Sequence, residues 1–89
     1  MVRLEFRGHI LSFPRAQIER AQELAAAQAG ASSGLRDLAL VLDWALNSPR
    51  VVALRRGEAR ELIRLAARHD VLDGIVAAFD AIRSRARAA

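Results

Sequence analysis

Apolar and polar residues alternate strictly at the start of the chain, with Val2, Leu4 and Phe6 set against Arg3, Glu5 and Arg7. That is the period of a half-buried strand. A two-residue loop at Arg7-Gly8 pairs Phe6 with His9, Leu4 with Leu11 and Val2 with Phe13. This register gathers Val2, Leu4, Phe6, Leu11 and Phe13 on one face. Gly8 supplies the positive φ that such a turn needs. A lone hairpin is marginal in water, so its apolar face must cover helices.

After Pro14 the period lengthens. A helix is predicted from Pro14 to about Gln28, with Ile18, Ala21, Leu24, Ala25 and Gln28 inward; proline is well tolerated in a first helical turn. The stretch AGASSG, residues 29–34, ends it. Gly30 suits a C-terminal cap, and Ser32 or Ser33 suits the next N-terminus. The second helix runs from Leu35 to about Asn47. Leu35, Leu38, Ala39, Leu42, Ala45 and Leu46 form its core stripe, while Leu40, Val41 and Trp44 fall on the other side. A helix apolar nearly all round is either central to a fold or covered by a partner. Pro49 stops it, because the residue before a proline is pushed out of the α region.

Residues 51–54, VVAL, read either as a third strand or as an extended connector. A third helix follows from about Gly57 to Arg68, with Ala59, Leu62, Ile63 and Ala66 inward. A fourth runs from Val71 to about Arg85, with Leu72, Ile75, Val76, Phe79 and Ile82 inward. No Gly or Pro divides these two, but the apolar phase slips between Ala66 and Leu72. The break is predicted at His69-Asp70, with Asp70 as N-cap and Asp73 in the first turn, where negative charge is favoured. Residues 83–89 read as a basic tail that frays. The expected fold is α+β: an N-terminal β-hairpin, three-stranded if residues 51–54 join it, packed against four α-helices in one small domain of residues 1–89.

Composition sharpens this picture in three places. No cysteine is present, so stability must come from packing, which includes packing against a second chain. The N-terminal MVRLEFRGH has no apolar leader, and the longest uncharged run, residues 24–35, is too short and too weakly apolar to span a bilayer. A soluble, cytoplasmic protein is the expectation. The net charge is +4, and all 14 basic residues are arginine. A GC-rich genome over-uses arginine and alanine, which accounts for the missing lysine. The alternative is recognition of phosphate or carboxylate, which the planar guanidinium performs better than an ammonium.

Few residues carry reactive chemistry. His69, Asp70 and Asp73 cluster in HDVLD, but a metal needs three or four converging ligands and the sequence supplies no others. The cluster reads as a helix end followed by capping aspartates. None of the serines lies in a nucleophile elbow, and no phosphate-binding glycine loop occurs. No enzyme activity, no cofactor, no metal and no small-molecule substrate is expected.

Two surface features remain. In RRGEARELIRLAARHD, arginine recurs at every fourth position, as Arg56, Arg60, Arg64 and Arg68. At about 100° per residue, Arg60, Arg64 and Arg68 lie nearly opposite the apolar stripe. The row is first of all the wet side of a packed helix. It also offers an acidic protein a partner surface, or a nucleic acid a set of phosphate contacts that position without specifying sequence. No base-reading Asn, Gln, Ser or Thr, and no aromatic, is interleaved. The second feature is Leu40, Val41 and Trp44. These residues either receive the hairpin or form a surface for another protein or a second copy of the chain. The leading expectation is a small interaction module acting by protein–protein binding, as a regulator, inhibitor, antitoxin-like partner or assembly subunit, with self-association included. The alternative is a basic nucleic-acid-binding accessory protein using Arg55, Arg56, Arg60, Arg64 and the Arg83–Arg87 tail.

Overall fold

The turn between the first two strands takes both central residues through positive φ, Arg7 at 51° and Gly8 at 80°. This is the type I′ backbone, whose twist matches that of the strands it joins. In the computed structural model, which describes the backbone of residues 1–88 and the side chains of residues 1–84, β1 (Val2–Phe6) and β2 (His9–Phe13) pair antiparallel. Val2 lies opposite Phe13, Leu4 opposite Leu11 and Phe6 opposite His9, the register expected from the alternation.

Residues 51–54 do contribute a strand. β3 (Val52–Ala53) lies parallel to β1, with Leu4 opposite Val52 and Glu5 opposite Ala53. The Leu54 N–H donates to the Glu5 carbonyl at 2.8 Å. The sheet is mixed, in the order β2-β1-β3, so β1 is its centre and β3 is an edge.

Helix α1 (Arg15–Ala27) is capped by Pro14, whose carbonyl accepts from the Gln17 and Ile18 N–H groups. Its end differs from expectation. Gly30 does not enter the left-handed region, and among the described residues Gly8 is the glycine with positive φ. The chain instead leaves through tight backbone bonds, Gln28 N–H to Ala25, Ala29 N–H to Ala26 and Ala31 N–H to Gln28. Such bonds satisfy carbonyls that the helix end leaves open. Ser32 then caps α2 (Ser33–Asn47), its Oγ accepting from the Leu35 N–H at 3.4 Å. At the other end Arg15 donates to the Leu46 carbonyl at 2.9 Å, a cation placed where the helix dipole favours one.

Helix α3 (Arg56–Ala67) opens with the Glu58 carboxylate accepting from the Arg55 N–H at 2.8 Å. The break at His69-Asp70 is present, but Asp70 is not an N-cap. It is the first residue of a 3₁₀ turn over Asp70–Leu72, preceded by His69 and closed by the Leu72 N–H on the His69 carbonyl. Asp73 begins α4 (Asp73–Ala88). The helical backbone continues through the segment expected to fray as far as Ala88, and the side chains of residues 85–89 lie outside the described residues.

Among the described residues no polar or charged residue is fully buried, and Gln17, itself half-buried, has its Oε1 out of solvent with no hydrogen-bond partner. Leu4 and Phe13 from the sheet, Ile18 from α1, Leu38 and Leu42 from α2, Leu62 and Leu65 from α3, and Leu72 and Ile75 from the last turn and helix are the largest fully buried members of the core. The inward stripes of α1, α2 and α4 match the sequence pattern closely. In α3 the stripe is rotated: Leu65 is fully buried and Ile63 only half-buried.

The hairpin packs on α4 through its aromatic side chains and also on the inner side of α2. Phe79 meets Phe6 edge to face, with ring centroids 5.7 Å apart, and stacks near Phe13 at 6.4 Å. Leu40 and Trp44 stay exposed and do not receive the hairpin, which is one of the two roles the sequence leaves them, while Val41 is half-buried against the core.

Candidate functional site

With the hairpin on α4 and on the inner side of α2, no described residue covers Leu40 and Trp44 on the outward face of α2. Trp44 is 68 % exposed and Leu40 65 % exposed, and Val41 beside them is half-buried. The two large side chains are one helical turn apart, which puts them side by side on the surface. They look across a groove of about 1060 Å³ whose other walls are β3 with its flanks and the near side of α3.

The edge strand adds backbone chemistry to this groove. Because the Leu54 N–H points at β1, the alternation of a strand turns the N–H and C=O of Ala53 the opposite way. Ala53 lines the same groove as Trp44. An open edge of this kind is a template for pairing with another extended chain. The rim is mixed in charge: Arg50, Arg55, Arg60 and Arg64 alternate with Asp37, Glu58 and Glu61.

The arginine row divides in three dimensions. Arg60 and Arg64 stand on a ridge, lining this groove on one side and a second groove on the other. Arg56 lines only the second groove, and Arg68, at the C-terminal cap of α3, lines neither. Glu61, half-buried, faces the exposed Arg64 at 3.6 Å, a surface pair worth about 1 kcal/mol or less.

The second groove, of about 870 Å³, runs between α3, the distal part of α4 and the hairpin turn. Arg7 and His9 enter it from the turn and Arg83 from α4, facing Arg56, Arg60 and Arg64. Sequence inspection finds no aromatic beside the arginine row, yet the fold puts Phe6 and Phe79 in the same groove. Phe6 is not free to stack on a base: the Arg7 guanidinium sits 5.1 Å above its ring and Phe79 abuts it. No spacing rule links Phe6, Ile63, Phe79 and Arg83, because the hairpin register and the seating on α4 bring them together.

His69, Asp70 and Asp73 gain no further ligand, and among the described residues no three His, Cys, Asp or Glu side chains converge as a metal site would require. Among the same residues no helix is long and apolar enough to cross a membrane. The chain matches no family model, and neither a curated protein nor a solved structure is significantly similar to it.

Proposed function

We propose that this chain is a small protein-binding module whose main docking surface is the groove between α2, β3 and α3. An extended segment of a partner protein adds to the free edge of β3, and Trp44 anchors it. The observation that carries this reading is the exposure of Trp44 and Leu40 on a face the chain leaves uncovered, directly beside an unpaired strand edge. Backbone pairing at the edge supplies affinity, and side-chain pockets along it supply selectivity. Exposed tryptophan is the residue most often found as a binding hot spot. In this reading the protein acts in the cytoplasm by association rather than by catalysis, as a regulator, inhibitor, antitoxin-like partner or assembly subunit.

The test starts from the partner that co-purifies with the native protein. Ala53→Pro removes the outward N–H from an edge position, where proline is tolerated. Trp44→Ser removes the anchor. Both variants are expected to weaken the complex by about tenfold or more. Full retention of the partner by both would overturn the reading. If the species that co-purifies is a second copy of the chain, the same two variants shift the protein toward the 9.7 kDa monomer.

The second reading, a nucleic-acid-binding accessory protein, is favoured by one observation, the all-basic rim of the second groove. Of the arginines the sequence offers for it, Arg56, Arg60 and Arg64 line this groove together with Arg83, Arg55 lines the first groove instead, and the side chains of Arg85 and Arg87 lie outside the described residues. It predicts binding that weakens steeply with salt.

A further inference from the structure

We propose that the second groove is a separate docking site that takes an acidic amphipathic helix of a partner protein. The proposal rests on the reading of the chain as a protein-binding module and adds a second, chemically different surface to it.

The charge around this groove has a single sign. Arg7, Arg56, Arg60, Arg64 and Arg83 line it, with His9, and among the described residues no carboxylate does. Among the described residues Arg56, Arg60 and Arg83 form no ion pair, and Arg64 has only the 3.6 Å approach of Glu61. A set of guanidinium groups converging on one concavity attracts an anion, and carboxylate and phosphate both match the guanidinium fork.

The base of the groove decides between these two. Ile63 and Phe6 are half-buried, and Phe79 and Ile82 lie beneath them. A phosphodiester backbone has nothing apolar to lay on the parts of Ile63 and Phe6 that remain open to the groove. An amphipathic protein helix has apolar side chains for the base and carboxylates for the rim.

Spacing supports the same occupant. Four residues of helix rise about 6 Å, so Arg56, Arg60 and Arg64 span about 12 Å in even steps. Glutamates placed four apart on an adjacent helix repeat with the same step. Arg83 and Arg7 stand across the groove from this row, so a helix lying in it meets guanidinium groups on both flanks.

The test uses labelled synthetic peptides of about 16 residues, long enough to cover the row with a turn to spare at each end. One carries glutamate on one helical stripe and leucine on the next. A second keeps the glutamates and replaces the leucines with glutamine. A short DNA duplex is the third probe. Fluorescence anisotropy at physiological salt is expected to show the first peptide binding at least about tenfold more tightly than the second, since only it fills the apolar base. Arg83→Glu and Arg56→Glu, which touch only this groove, should each weaken that peptide by about tenfold. Trp44→Ser should leave it unchanged, whether or not it releases the partner held by the first groove. Equal binding of the two peptides, tighter binding of the duplex, insensitivity to both arginine substitutions, or no binding of the first peptide would each overturn the proposal. Circular dichroism of each variant confirms that the fold is intact.

Discussion

The rings of Phe6 and Phe79 meet edge to face, with their centroids 5.7 Å apart, and join the two ends of the chain. This pair, with Phe13 stacked close by, seats the hairpin on α4. Replacing Phe79 by Ala removes both ring contacts and opens a cavity, at a cost of about 3–5 kcal/mol. Domains of this size hold about 5–15 kcal/mol in total, so F79A should be marginally folded or unfolded. F79L keeps apolar bulk and loses the ring geometry, worth about 0.5–1.5 kcal/mol for each aromatic pair. Urea unfolding should place F79L between wild type and F79A. Equal midpoints for wild type and F79A would mean that the hairpin does not depend on this seat.

The rotation of α3 predicts a reversal of apparent importance between two neighbouring residues. Leu65 is fully buried, so Leu65→Ala should destabilise by about 2–5 kcal/mol. Ile63 is half-buried at the edge of the basic groove, and Ile63→Ala should cost well under that. Denaturant midpoints of the two single variants decide the matter; a larger loss at Ile63 would turn the helix back to the phase its sequence suggests.

That pair also shows why sequence pattern stops where it does. The apolar arc of α3 from Leu65 through Leu62 to Ile63 is about 160° wide, and either edge of it satisfies helical periodicity. The positions of α1, α2 and α4 around it decide which edge is buried. The hairpin, in contrast, was legible residue by residue, because a two-residue turn and strict alternation admit one register. β3 is two residues long, too short for any period, so its pairing rests on what lies beside it. The candidate sites follow the same division. Leu40, Trp44 and the arginine row are visible as local patterns. Phe6, Phe79 and Arg83 join the row only through tertiary packing, and the exposure of Trp44 follows from the hairpin packing on α4 and on the inner side of α2.

Two glycines should respond to alanine with opposite signs. Gly8 has a φ of 80°, a region where a side chain costs about 1–2 kcal/mol. G8A should therefore lower the unfolding midpoint although nothing lies within 4 Å of the added methyl. Gly57 sits in the first turn of α3, with ordinary backbone and equally open space. There alanine reduces the freedom of the unfolded chain and improves helix propensity, for a gain of about 0.4–1 kcal/mol. Thermal melts of both variants, run side by side, check the two signs; shifts in the same direction would contradict the turn geometry.

Trp44 is the only tryptophan, so the intrinsic fluorescence of the protein reports on the proposed anchor alone. At 68 % exposure its emission in the free monomer should be that of a water-exposed indole, with full access to acrylamide. Because it carries no part of the core, Trp44→Ser should change stability by no more than about 0.5 kcal/mol. Occupation of the first groove should shift the emission to shorter wavelength and shield the ring, since a hot-spot side chain is desolvated when bound. Dilution then separates the two kinds of occupant. If a second copy covers Trp44, quenching by acrylamide rises as the protein is diluted and the dimer dissociates. If the occupant is a different protein, quenching of the isolated chain is strong at every concentration and falls only when the partner is added. A shielded, blue-shifted Trp44 in a protein that sediments as a monomer would place the ring inside the fold and remove the anchor from the proposed interface.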